Sequence, residues 1–413
     1  MDAFPKFEPY EPAFLEDPYP TFMRLRAERP VFYDEDWRLT FFTRHKDIKS
    51  IFMDRQQFGR DYRHRLKDNQ VDSTLVERIF PINAPNWVKF VREAFMDQEP
   101  TVHTRLRGLV SKAFTRRESH SYGPGLLSLA NSILDQKLDG ESFDAIKNFA
   151  SPIPVSLIAD LMGIEEDVHA RLTEWSSLIV VPYDLSASAD DLAKAEKATI
   201  DFAEFLRGLI EKRRRDPGSD LISSMLVVEE AGDTLTEDEI ISTAILTLNA
   251  GHEATVQAIG NALLALAKHP DQYRYLTGNV EGISTAVEEL LRYDTPLQMF
   301  DRWILEDCEI GGCLLKQGQK VGLLVGSANH DEAAFVGDTE SLDLTRDSSS
   351  HIAFGAGLHH CIGSHLARIE LVAAITALVS KVQTLEIADS LPQRKPSLVF
   401  RGLSSLPLSL TPR

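Results

Sequence analysis

Phe354-Gly355-Ala356-Gly357-Leu358-His359-His360-Cys361-Ile362-Gly363 is the stretch whose reading decides the fold. One cysteine sits among three glycines, and a helical pattern starts directly after it in Ser364-His365-Leu366-Ala367-Arg368-Ile369-Glu370-Leu371. Glycine lets a backbone approach a flat ligand closely, because no Cβ intervenes, and lets several N–H groups turn toward one atom. A sulfur at the start of that helix faces orphan N–H donors and the positive end of the helix dipole. Both favour the thiolate, the form that ligates a metal. A lone thiolate on a glycine-rich loop suits an axial ligand of haem iron. It does not build a tetrahedral zinc site, which takes four ligands. A buried structural cysteine on a turn is the plainer alternative, and the rest of the chain has to decide.

The chain has 413 residues, 43% hydrophobic and 26% charged, the balance of an ordinary globular protein with a sizeable core. A net charge of −18 argues against wholesale binding of nucleic acid or an anionic membrane. Residues 1–16 are acidic and broken by Pro5, Pro9 and Pro12, unlike a signal peptide. No run of about 18 apolar residues occurs, so no membrane span is expected. Three cysteines, Cys308, Cys313 and Cys361, make no disulfide framework and fit a reducing cytoplasm. Cys308 and Cys313 fall in or beside a strand and read as structural.

A second anchor is Leu235-Thr236-Glu237-Asp238-Glu239, where Thr236 and Glu239 form a capping box. A long apolar helix over 240–268 follows, ended by Pro270. Its middle, Asn249-Ala250-Gly251-His252-Glu253-Ala254-Thr255, breaks the apolar pattern. A glycine there costs about 1 kcal/mol, and a buried glutamate is costly unless partnered. Elsewhere the pattern predicts strands over 31–33, 38–42 and 320–327, and helices over 45–54, 125–138, 154–162, 167–178, 190–214 and 285–293. One helical run is predicted over 102–117, a partly helical loop over 60–98, and a C-terminal hairpin over 401–410. His103 and Arg107 share a helix face, as do Glu289 and Arg292. By spacing alone these read as a solvated basic face and a surface ion pair worth little.

Phe354, Gly357, Cys361 and Gly363 fall on the positions of phenylalanine-x-x-glycine-x-x-x-cysteine-x-glycine, which resembles the haem-binding signature of the cytochrome P-450 family. Ala250-Gly251-His252-Glu253 resembles the family's oxygen-activating segment, and Glu289-x-x-Arg292 its buried glutamate–arginine pair, with Arg346 as the third partner. The resemblance implies a mainly α fold with a small β-rich region, a triangular prism formed by a single domain over 1–413. The long helix would pass over one haem face while Cys361 binds the other. It implies haem b and dioxygen, without a tightly bound flavin. Phe354, Gly355, Gly363 and Ala250 would lie against the haem, and His103, Arg107, Arg302 and His359 would bind its propionates. Gly251, Glu253, Ala254 and Thr255 would line the catalytic segment, with Glu253 relaying protons. The sequence departs from the pattern at Ala254, where the family has threonine. Thr255 points about 100° away on a helix and does not simply substitute.

The implied reaction inserts one oxygen atom of dioxygen into a small organic substrate, with electrons from a separate ferredoxin and its flavin reductase. The ferredoxin is expected on the cysteine side, on Arg105, Lys112, Arg116 and Arg117. Apolar candidates for the substrate pocket are Ile82, Trp87, Leu246, Ala250, Met299 and Phe300. Arg60, Arg63, Arg65 and Lys67 read as a solvated loop rather than a landing site for an anionic substrate. A cytoplasmic monomer is expected. The alternatives are a peroxide-driven peroxygenase and a haem-thiolate sensor or carrier.

Overall fold

The capping box starts the long helix where the sequence places it: Thr236 Oγ1 accepts from Glu239 N at 3.2 Å and the Glu239 carboxylate accepts from Thr236 N at 2.8 Å. The helix runs Glu237–Lys268, 32 residues, or about 48 Å at about 1.5 Å per residue. This computed structural model describes residues 6–138, 141–227, 229–230, 233–388 and 390–413. Pro152–Met162, His169–Ile179 and Ala189–Arg215 pack on the long helix, as do Ile283–Tyr293 and Ser364–Lys381. Two apolar cores meet along it. One takes Ile240 to Leu248 with Trp87, Phe90 and Phe202. The other takes Val256 to Leu266 with Phe149, Leu290 and Leu371. The polar segment 249–255 therefore lies at the seam between the two cores.

The β-rich region centres on a five-stranded sheet in the order Val31–Asp34, Leu39–Phe42, Lys320–Leu324, Met299–Ile304, Phe58–Gly59. Lys320–Leu324 runs parallel to Leu39–Phe42, and the other neighbours are antiparallel. Three sequence expectations are corrected. The run 102–117 is broken: helix Val102–Val110 passes into a 3₁₀ turn, and Thr115 Oγ1 accepts from Glu118 N at 3.3 Å to cap a separate helix, Arg116–Ser121. The strand from Lys320 stops at Leu324, and Val325–Ala328 is a helical turn. Gly326 N donates to Gln298 O at 3.2 Å there, a bond that turns the chain out of the sheet. Residues 401–410 form no hairpin of their own. Leu403–Ser405 pairs with Gln393–Arg394 and Pro407–Pro412 with Val382–Ile387; Pro407, without an N–H, separates the two.

Glu289 and Arg292 lie on Ile283–Tyr293 with fully buried side chains. Arg292 Nε and Nη2 donate to the two Glu289 oxygens at 2.7 and 2.8 Å, and Nη1 donates to the carbonyls of Asn329 and Thr339, each at 2.9 Å. Arg346 Nε, at 3.3 Å, Asp343 N, at 3.1 Å, and Ser348 Oγ also donate to the carboxylate. This pair ties the loop over 329–348 to the core. Arg292→Ala leaves a buried carboxylate short of its main partner, so it should lower the unfolding free energy by about 3–5 kcal/mol in urea titration.

Candidate functional site

The Cys361 loop is shaped by its own backbone. Cys361 N donates to Phe354 O at 3.0 Å, and Gly355 N to Ile352 O at 2.9 Å. Gly357 has φ +70°, and a Cβ on it would lie 2.3 Å from Phe52 O, so only glycine fits. The helix Ser364–Lys381 begins immediately after Gly363. Burial pushes the Cys361 thiol up, more than the Gly363 N–H, Arg107 and Arg368 pull it down. The N–H donor at the helix start favours the thiolate, but a dipole effect of about 0.3–1 kcal/mol is smaller than the desolvation of a charged sulfur. A bound metal ion would deprotonate it outright.

Both shoulders of the loop hang on one acid that sequence reasoning missed. Glu288 accepts from His351 Nε2 at 3.0 Å and from Arg368 Nε and Nη2 at 2.6 and 2.8 Å. The Arg368 guanidinium lies 4.4 Å from the centroid of the Phe354 ring. Burial pushes the Glu288 carboxyl up, but the His351 and Arg368 hydrogen bonds outweigh it and hold the group at about 2. Its partners are 63 and 80 residues away in sequence, so no local spacing announces them.

The expected propionate residues converge. The His103 and His359 rings are 4.4 Å apart, and all four of their ring nitrogens are buried without a hydrogen-bond partner. Burial, with Arg107 beside it, lowers His103 to about 4; burial and the charges of Arg302, His103, Arg60 and Arg107 hold His359 neutral. Arg302 is buried at 5% exposure, and burial and Arg60 lower it to about 9. Arg60 pairs with Asp97 and with Asp301 at 2.9 Å, Lys320 with Asp301 at 2.9 Å, and Arg92 with Asp97 at 2.8 Å. Glu99, buried and with its carboxyl raised by that burial, lies 4.0 Å from His359 Nε2. Five cations (Arg60, Arg92, Arg107, Arg302 and Lys320) thus share this region with three carboxylates, Asp97, Glu99 and Asp301. Arg107 also donates to His360 O at 2.6 Å. A surplus of two positive charges, one of them owed to half-buried Arg107, beside four idle ring nitrogens would be matched by the two carboxylates of a haem.

On the long helix, Ala250 is exposed and Ala254 half-buried, an accessible stripe on an otherwise buried element. Gly251, half-buried like Ala254, lies beside them, and a Cβ on it would meet Ile158 Cδ1 at 2.9 Å. Glu253 is 3% exposed and is bound by Lys395 and by Gln257 Nε2 at 2.8 Å. Thr255 is buried.

The other expected residues differ in exposure. Ile82 is 97% exposed. Trp87 is buried with Nε1 donating to Ile179 O at 2.9 Å; Leu246 and Met299 are buried in apolar clusters, and Phe300 is half-buried, edge-on to Phe52. Arg60 is buried in the charge network rather than solvated. Arg63 pairs with Asp61 and Glu93, Arg65 with Glu306, and Lys67 is exposed. Arg105 is engaged by Glu239 and drops out of the basic docking group, leaving Lys112, Arg116 and Arg117, all exposed. Among the described residues no helix is long and apolar enough to cross a membrane.

Residues 166–407 match the family model described as Cytochrome P450. The chain is 38% identical to a "Putative cytochrome P450 133B1" of Xylella fastidiosa, over 97% of each chain. It is 35% identical to the "Biotin biosynthesis cytochrome P450" of Bacillus subtilis, over 96% of this chain and 97% of that one. Its fold is similar to the crystal structure of P450BioI in complex with hexadec-9Z-enoic acid ligated acyl carrier protein, with a TM-score of 0.87, 33% identity, and 96% and 99% of the two chains covered. The chain belongs to the cytochrome P450 family, the haem-thiolate monooxygenases.

Because the Glu288 carboxyl is depressed on folding, its stabilisation is fully present above about pH 4.5 and is lost as pH falls toward about 2. Glu288→Gln should remove part of the acid-side slope of the unfolding free energy, up to about 3 kcal/mol between those limits. Urea titrations at stepped pH measure it.

Proposed function

We propose that this protein is a monooxygenase that inserts one oxygen atom from dioxygen into a small organic substrate, using electrons from NAD(P)H delivered by a separate ferredoxin and its flavin reductase. The observation that carries the reading is the pairing of a single cysteine on a glycine loop with a two-charge cationic surplus, buried but for Arg107, beside two unpartnered histidines. Cys361 would ligate the iron of haem b, and His103, Arg107, Arg302 and His359 would take the propionates. Bound there, haem supplies the oxygen-activating chemistry, to which thiolate donation contributes. Phe354, Gly355 and Gly363 shape the cysteine side, and the Ala250–Ala254 stripe offers the opposite wall. Glu253 holds the proton that the reaction consumes. The enzyme acts as a single domain and monomer in the cytoplasm, and the ferredoxin docks on Lys112, Arg116 and Arg117.

Ala254 carries no hydroxyl, so the native substrate supplies a polar group, or a water it holds, at that point. An acyl chain, free or on a carrier protein, is the first substrate class to test, by analogy with the ligand in the similar P450BioI complex. Coupling, the product formed per NADH consumed, should be high for a substrate with a polar group reaching Ala254 and several-fold lower for the analogue without it. Ala254→Thr should restore coupling for the analogue; equal coupling of both substrates contradicts substrate assistance.

Reduced protein under carbon monoxide should show the red-shifted Soret band of a thiolate-ligated haem. Cys361→His should lose that band while retaining haem, and an unchanged band in the variant refutes Cys361 as the ligand.

A further inference from the structure

The long helix carries a polar ladder, Glu253, Gln257 and Asn261, spaced four apart on one face. Every rung is tied to the C-terminal loop over 394–403. Lys395 Nζ donates to Glu253 Oε1, and Gln257 Oε1 accepts from Leu403 N at 2.8 Å. Asn261 Nδ2 donates to Arg401 O at 3.0 Å, and its Oδ1 accepts from Arg394 Nη1 at 3.0 Å. The loop is held in shape by Lys395 N donating to Gly402 O at 3.0 Å. A Cβ on Gly402 would lie 1.8 Å from Gln257 Oε1, so the contact is close enough to require glycine. Among these rungs only Glu253 is a carboxylate, and it neighbours Ala250, three residues back, at the edge of the accessible stripe.

We propose that Lys395 is the positioning residue for Glu253: it holds the carboxylate toward the C-terminal loop and connects it to solvent protons. The proposal rests on the reading of Glu253 as the proton donor given above. The Lys395 side chain is 31% exposed against 4% for Glu253, so it spans from solvent to an acid that solvent does not reach. In the step inferred here, the Lys395 ammonium passes one proton to the Glu253 carboxylate, which leaves both groups neutral and ends their ionic attraction. The acid is then free to turn toward Ala250 and Ala254 and give up its proton. The Lys395 amine takes a proton from bulk solvent, and the carboxylate formed returns to the restored ammonium.

The other groups facing Glu253 are Gln257 and, on its own helix, His252, whose Nε2 meets Ser151 Oγ at 3.3 Å. Burial lowers His252 to about 4, so it stays neutral. Burial pushes the Glu253 carboxyl up, while the charge and hydrogen bond of Lys395 lead the effects that outweigh it and leave the group below its ordinary value. Without Lys395 burial loses its main opponent and the carboxyl rises.

The test uses haem-loaded Lys395→Met, Lys395→Arg, Glu253→Gln and the Lys395→Met/Glu253→Gln double variant. Infrared difference spectra at pH 7 should show the carbonyl stretch of a protonated carboxylic acid in Lys395→Met, and neither in the double variant nor in Lys395→Arg. With a surrogate ferredoxin and reductase, hydrogen peroxide released per NADH should rise several-fold in Lys395→Met, shift its pH profile, and return toward the parent value in Lys395→Arg. No acid band in Lys395→Met overturns the positioning claim, whatever Glu253 does. An acid band with peroxide release unchanged in both Lys395→Met and Glu253→Gln refutes Glu253 as the proton donor, and Lys395's part in delivery falls with it. Should Lys395→Met fold poorly, Lys395→Gln replaces it in the same measurements.

Discussion

A surplus of buried positive charge is the constraint on which this structure turns. Arg60, Arg92, Arg302 and Lys320 are withdrawn from water beside the sheet, Asp97, Asp301 and Glu99 leave one of these four charges unbalanced, and half-buried Arg107 adds a second. An uncompensated buried charge costs several kcal/mol, so a protein that keeps a surplus of cations in place has a use for it. The two histidines sharpen the point. Neutral, unpartnered and 4.4 Å apart, they are donors waiting for an acceptor. A dianionic ligand resolves both problems at once, and its carboxylates then fix the ligand's plane relative to Cys361.

One short helix keeps this arrangement in register. Glu288 and Glu289 are adjacent on Ile283–Tyr293 and point to different partners. Glu289 holds Arg292, Arg346 and the loop that precedes the cysteine, whereas Glu288 holds His351 and Arg368 on either side of it. The cysteine loop is therefore fixed by ionic contacts at its ends and by glycine geometry within, while Ile352, Ala353, Phe354, Ala356 and Ile362 pack it onto the apolar cores. The long helix contributes the opposite wall at the seam between two apolar cores, where a glutamate is tolerated because Lys395 and Gln257 satisfy it.

Much of this was legible in the chain. The capping box at Thr236, the spacing of Phe354, Gly357, Cys361 and Gly363, and the three-residue step from Glu289 to Arg292 are local patterns, and local patterns survive folding. Ala254 and the stripe it shares with Ala250 follow from helix periodicity. What escaped is tertiary. Glu288, Lys395 and Glu239 find their partners across 63 to 142 residues, and nothing near them in sequence marks the pairing. Ile82 shows the converse: an apolar residue in a loop suggests a lined pocket, yet its side chain is in water. The helix start at Cys361 is easy to read from sequence, whereas the desolvation that opposes it is not.

The most direct measurement compares the affinity of the apoprotein for iron protoporphyrin IX with its affinity for the dimethyl ester, in which both propionates are uncharged. Titration followed at the Soret band gives both constants. If the cationic surplus exists to meet two carboxylates, the ester should bind at least about 100-fold more weakly, about 2.7 kcal/mol, and Arg302→Met should narrow that gap. Equal affinities for the acid and the ester would contradict the account.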